Sequence, residues 1–198
     1  MPSVVGVQVR PERPADRAAV HELQRVAFGD HGGDVAQLVD ALRDIVTSER
    51  GLSVVAEDGG EVIGHVMFTT SLLDAPRRLV EVLVLSPLGV APEHQRRGVG
   101  SGLVRYGLAA AAEQGAPLVF VEGDPGYYFR FGFMPAGELG FRKPSLRIPD
   151  QAFQVVKLPA FVPWMTGTLV YAEAFWRYDC VGLRDPGPQS SPLQAPRL

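Results

Sequence analysis

Apolar positions recur along the chain with two different periods, and the points where the period changes mark its elements. Val5, Val7 and Val9 alternate with other residues between Val4 and Arg10, which predicts a first strand. Pro11 and Pro14 end it. Val20, Leu23 and Ala27 then fall at helical spacing over Ala15 to Phe28, with Asp16 placed to favour the helix start. Gly29 and the Gly32-Gly33 pair predict a break. After it Val35, Leu38, Val39, Leu42, Ile45 and Val46 follow the i, i+3, i+4, i+7 course of a second, strongly amphipathic helix. Leu52 to Glu57 and Glu61 to Thr70 read as strands joined into a hairpin by Asp58-Gly59-Gly60.

A turn at Asp74-Ala75-Pro76 leads into the stretch on which the rest depends. Val80 to Leu85 and Leu88 to Val90 are nearly unbroken aliphatic sequence, the pattern of a strand buried on both faces of a sheet. Pro87 has no N–H to give a ladder, so it predicts a bulge that splays the strand from its neighbour and leaves a gap. Beyond Ala91 to His94, apolar residues return to helical spacing from Gly98, at Val99, Leu103, Tyr106 and Ala110, until Gly115-Ala116-Pro117. Leu118 to Val121 is a short buried strand ending at Glu122 and Gly123. Asp124-Pro125-Gly126 predicts a turn, followed by an aromatic turn from Tyr127 to Phe131 that Gly132 closes. Pro135 to Asp150 reads as a loop, and Ala152 to Leu158 and Thr166 to Tyr171 as two further strands. Residues 1–182 form one domain in this reading, and 183–198, poor in core residues, a mobile tail.

Composition narrows the class. With 46% hydrophobic and 21% charged residues, the chain has the make-up of an ordinary globular domain. A net charge of -3 argues against the broad basic face that nucleic acid requires, so no nucleic-acid partner is expected. The single cysteine, Cys180, excludes an internal disulfide and fits a reducing compartment. No long apolar run or signal-peptide core is visible, so no membrane association is expected and the cytoplasm is the expected location. His21, His31, His65 and His94 do not fall at metal-ligand spacing with Cys180, and no metal is predicted. Monomer and homodimer are both open.

The chemistry concentrates at the start of the glycine helix. First-turn N–H groups have no partner inside a helix, glycine lets a ligand approach the backbone, and Arg96 and Arg97 add positive charge, which together suit a phosphate or pyrophosphate. A P-loop would need Lys after the second glycine, and none is present. Gly98, Gly100 and Gly102 imitate a dinucleotide fingerprint, but Leu103 stands where its third glycine belongs.

Gln95, Gly98 and Gly100 occupy the three fixed places of Gln/Arg-x-x-Gly-x-Gly/Ala, and Tyr127 to Phe133 fits Phe-Tyr-x-x-x-Gly-Phe with Tyr127 in place of the phenylalanine. In these two blocks the chain resembles the GNAT N-acetyltransferases. The form Gly-Asp-Pro-x-Tyr-Tyr-x-Arg-Phe-Gly-Phe is similar to that of the bacterial YhbS-like branch. The resemblance implies an α/β fold with a mixed, mostly antiparallel central sheet, a bulged and splayed strand before the cofactor-binding helix, and helices on both faces. It also implies acetyl-CoA as co-substrate, with pantetheine along Leu88, Gly89 and Val90 and phosphates on the backbone of Gln95, Arg96, Arg97, Gly98, Val99, Gly100 and Ser101.

The implied reaction moves an acetyl group to a primary amine of a small molecule or peptide by direct attack in a ternary complex. Tyr128 takes the place of the family's general acid and Tyr127 that of its packing partner, with the reverse assignment open. The general base is less determined, because many relatives carry an acid where this chain has Ser86 and Pro87. Glu81 on the same strand is a catalytic candidate, Glu122 at the end of the next strand competes with it, and a chain of waters is a third possibility. His65 shares a strand face with Ile63 and Met67 and reads as a core histidine. Cys180 has no visible activating neighbour, and Phe161, Trp164 and Met165 read as packing. The missing acid motivates a second reading, an acyl-CoA-binding regulatory module with little or no turnover. A toxin-like acetyltransferase acting on charged transfer RNA is disfavoured by the net charge of -3.

Overall fold

The computed structural model describes residues 6–46 and 50–183, so Val4, Val5 and nearly all of the predicted tail lie outside the described residues. Four antiparallel strands open the sheet in sequence order: β1 (Val7–Pro11), β2 (Leu52–Asp58), β3 (Glu61–Asp74) and β4 (Leu79–Val90). Between β1 and β2 lie α1 (Arg17–Ala27) and α2 (Gly32–Leu42). After β4 come α3 (Val99–Glu113), β5 (Leu118–Glu122) and the single turn α4 (Pro125–Tyr128). The chain ends in β6 (Met134–Pro135), β7 (Phe141–Arg142), β8 (Phe153–Lys157), β9 (Gly167–Val170) and α5 (Glu173–Arg177).

Among the described residues the sheet has nine strands in the order β1-β2-β3-β4-β5-β8-β6, with β9 beside the far end of β3 and β7 beside β9. Strict alternation along its central strands separates two apolar cores. Val82 and Val84 of β4, with Leu118 and Phe120 of β5, face α1, α2 and α5, whereas Leu83, Leu85, Val119 and Val121 face α3.

The hairpin closes through Gly59 and Gly60, both at positive φ (57° and 92°), with Asp58 paired to Glu61, the geometry of a two-residue primed turn. The bulge predicted at Pro87 is present. Val66 of β3 faces Leu88 and Phe68 faces Leu85, so Ser86 and Pro87 together oppose the single residue Met67. On its other side β4 pairs with β5 only from Leu83 to Leu85, and beyond Leu85 the two strands part. The splayed half, Ser86 to Val90, stays zipped to β3 alone.

Several elements depart from the periodicity. Gly32 and Gly33 begin α2 rather than break the chain, because a Cβ at Gly32 would lie 1.9 Å from the Arg25 carbonyl oxygen of α1. The glycine is there for helix contact. α2 ends at Leu42, and Arg43 to Ile45 form a single 3-10 turn. The buried face of α3 is Val99, Leu103, Val104, Gly107 and Ala111, with Tyr106 exposed. The ring of Phe68 fills the place above Gly107, where a Cβ would sit 2.1 Å from it, so a glycine rather than a tyrosine marks the contact. The segment read as a loop holds β7 and a 3-10 turn, with β6 starting one residue before it. The two last predicted strands do not pair with each other: β8 adds to β5, and β9 joins β3 at Leu72 to Asp74.

Candidate active site

Two cavities meet where β4 leaves β5, and Leu88 lines both. The first, about 670 Å³, lies over the start of α3 and is lined by Leu88, Val90, Gln95, Arg96, Gly98, Gly100 and Ser101. These are seven of the ten residues expected to hold the cofactor. Of the other three, Gly89 turns inward, where a Cβ would meet Gln24 Oε1 at 2.5 Å; Val99 is buried in the α3 core; and Arg97 is exposed and does not line the cavity.

The backbone here is shaped for an anion. Gly98 caps α3 in the left-handed region at φ 90°, and Arg96 adopts φ 59°, a conformation that costs a non-glycine residue energy. The first helical bond is Gly102 N–H to the Gly98 carbonyl at 2.9 Å, so the N–H groups of Val99, Gly100 and Ser101 have no carbonyl inside the helix and present the positive end of its dipole. Gly100 keeps this turn open: a Cβ there would lie 2.7 Å from the Tyr127 hydroxyl oxygen. Tyr127 completes the wall together with Ser101, and Arg130 caps the tyrosine ring at 5.1 Å. Neither Tyr127 nor Arg130 was assigned to the cofactor, although Arg130 stands in the second motif itself.

The second cavity, about 640 Å³, opens on the α1 and α2 side of the sheet. Ser86, Pro87 and Leu88 of the splayed strand form one wall, with Tyr128 and Glu122 beside them. Asp124 fixes the aromatic turn by accepting the Gly126 N–H at 2.9 Å, and Gly123 makes room for the Tyr128 ring, whose Cε2 lies 2.4 Å from where a Cβ would be. Consecutive tyrosines therefore serve different cavities, Tyr127 the first and Tyr128 the second, with their rings edge to face at 5.0 Å. Burial, reinforced by the neighbouring Tyr127, pushes the Tyr128 hydroxyl above the usual tyrosine pKa, so it stays protonated.

Glu122 terminates β5 half-buried. Burial raises its carboxyl above the ordinary range, partly offset by the Gly182 N–H it accepts at 3.3 Å and by Arg147. Glu81 is placed elsewhere: it lies at the opposite end of β4, half-exposed, 2.7 Å from Arg50, and lines neither cavity. The outward side of a strand start leaves it in solvent. His65 is fully buried and held neutral by that burial, with Nδ1 2.7 Å from Gln24 Nε2 and Nε2 2.9 Å from Ser53 Oγ. It fastens α1 to the hairpin. Cys180 lines the second cavity, but burial and the nearby Asp34, Asp179 and Glu122 push its thiol up to about 11, the reverse of activation.

The chain matches the family model described as an acetyltransferase (GNAT) domain over residues 8–136. It belongs to the GNAT acetyltransferases. It is 34% identical over 138 residues to the uncharacterised N-acetyltransferase YjhQ of Escherichia coli K12, spanning 69% of this chain and 75% of that one. Among solved structures it is similar to the E. coli GNAT protein YhbS in complex with CoA, with a TM-score of 0.78 and 31% identity over 89% of this chain and 95% of that one. A GNAT acetyltransferase of Brucella melitensis in complex with acetyl-CoA matches at a TM-score of 0.68 and 32% identity, over 85% of this chain and 97% of that one. This GNAT chain is thus an acyltransferase with the family's mixed sheet. Among its described residues no helix is long and apolar enough to cross a membrane.

Proposed function

We propose that this GNAT enzyme transfers an acetyl group from acetyl-CoA to a primary amine by direct attack, with the thioester at Leu88 and the amine in the second cavity. The observation that carries the reading is the junction itself: a phosphate-shaped helix start in one cavity, and a protonated tyrosine and a half-buried carboxylate in the next. The residues fit the co-substrate. Val99, Gly100 and Ser101 hold phosphate through N–H groups, and the free edge of Leu88, Gly89 and Val90 binds pantetheine as an added strand would.

Acetyl-CoA supplies an activated acyl group. Glu122, either directly or through water, accepts a proton from the ammonium so that the nitrogen lone pair is free, and its raised pKa makes it a better base. The nitrogen bonds to the carbonyl carbon, the C–S bond breaks, and Tyr128 gives its proton to the leaving sulfur, whose conjugate acid has a pKa of about 8.5. The nitrogen then passes its surplus proton, directly or through water, to the tyrosinate, and Glu122 returns its proton to solvent as the amide departs.

The test is thermal unfolding with and without saturating acetyl-CoA, followed by thiol release on adding amines. Ligand at about a hundred times its dissociation constant adds about 2.7 kcal/mol, a rise of roughly 5 to 11 °C for a domain of this size. Stabilisation together with amine-dependent thiol release supports the enzyme. Stabilisation without release from a broad amine panel favours the regulatory module, and no stabilisation by any acyl-CoA removes both.

A further inference from the structure

The second cavity has a chemical bias that its role as an acceptor site does not require. Three carboxylates line it, Asp34, Glu122 and Asp179, and neither lysine nor arginine does among the described residues. They come from separate parts of the chain, the first turn of α2, the end of β5 and the segment after α5, and all three act on the one thiol of Cys180, so they converge. Glu122 and Tyr128 line the same cavity as the splayed strand. Asp179 is 3.4 Å from Arg147, which does not line the cavity. Asp34 is exposed. The rest of the lining mixes aromatic residues, Phe28, Tyr171, Phe175 and Tyr178, with aliphatic ones and, among the described residues, a single basic side chain, His31.

We propose that the acceptor is a small dication: an amine whose reacting nitrogen sits at Glu122 and Tyr128 and whose second positive group is held at Asp34 and Asp179. This rests on the acetyl-transfer reading above. Carboxylates attract a second cation directly, and aromatic rings add cation–π attraction. A carboxylate on the acceptor, as in a free amino acid, would instead be repelled by these three acid groups.

Three amines of equal length separate the effect of charge from that of shape: 1,4-diaminobutane, n-butylamine and 4-aminobutanoate, each assayed by release of the CoA thiol. The expected order of kcat/KM is diamine, then monoamine, then amino acid, and Asp34→Asn should narrow the diamine-to-monoamine ratio by up to about fivefold. Asp34 is exposed, and its thermal midpoint in acetyl-CoA reports whether the variant is folded and still binds the co-substrate. Turnover in which the monoamine or the amino acid matches the diamine would overturn the inference while the acetyl-transfer reading stands. So would acetyl-CoA stabilisation with no turnover of the diamine, or a charge preference that Asp34→Asn leaves unchanged. Absence of any acetyl-CoA stabilisation is the separate result that removes the underlying reading.

Discussion

Two cavities of nearly equal volume share Leu88 and are assembled in opposite ways. The first takes most of its wall from thirteen consecutive positions, Leu88 to Gly100, with Ser101 next and two residues of the aromatic turn added. It works through backbone N–H groups and the absence of side chains, so its tolerance for change is small at glycines. The second draws on the connection between α1 and α2, on α2, β4, β5, α4, α5 and the segment after it, and works through side chains. A local motif suffices for a ligand whose phosphates are always the same. Recognition of an acceptor needs groups of particular charge and shape, which only distant parts of a chain can bring together.

Substitutions can break this contrast. The largest expected effect is that of Gly100→Glu, whose Cβ alone would lie 2.7 Å from the Tyr127 hydroxyl and whose carboxylate puts a negative charge at the phosphate turn. Acetyl-CoA should then give no rise in thermal midpoint, and thiol release should vanish. Tyr128→Phe attacks the other cavity. Its kcat should fall by about 10² to 10³, the range for loss of a positioned proton donor, while stabilisation by acetyl-CoA persists. Loss of that stabilisation in Tyr128→Phe would mean that the two cavities are not separable.

Glu122→Gln sharpens the assignment of the base. In the wild type, kcat/KM should rise with pH through a value above the ordinary carboxylate pKa, because only the deprotonated Glu122 accepts a proton and burial has raised its pKa. The glutamine variant should be about tenfold or more slower and should lack that rising limb. A limb that survives unchanged would transfer the role to water or another group. Smallest of all is Glu81→Gln: with its carboxylate half-exposed against Arg50, stability should change by less than about 0.5 kcal/mol and the rate not at all. A large drop in rate would return Glu81 to the site.

Much of the first cavity is readable from the chain because its causes are local. Pro87 lacks a donor, and so the strand must bulge near it; Gly98 stands at positive φ, and so the helix starts after it. The second cavity was legible only in part, through the bulge at Pro87, Glu122 at the end of its strand and the aromatic turn that carries Tyr128. Arg130 was in plain view within that motif but bore no local sign of the cavity it lines. Asp34, Asp179 and Cys180 gave no signal, since a carboxylate on a helix start or in a loop looks the same whether it faces solvent or a pocket.

The sequence by itself determined the hairpin, the bulge and the glycine-capped helix, features set by the allowed dihedrals of proline and glycine and by short-range periodicity. Tertiary structure alone decided that Gly32 and Gly107 are contact points, that β8 and β9 go to different neighbours, and that Glu122 rather than Glu81 lines the cavity of Tyr128. The physical reason is that burial and proximity are properties of pairs of segments. One strand carries an acid at its solvated start and the next carries one at its buried end, and only the packing of β4 against β5 says which end meets the gap.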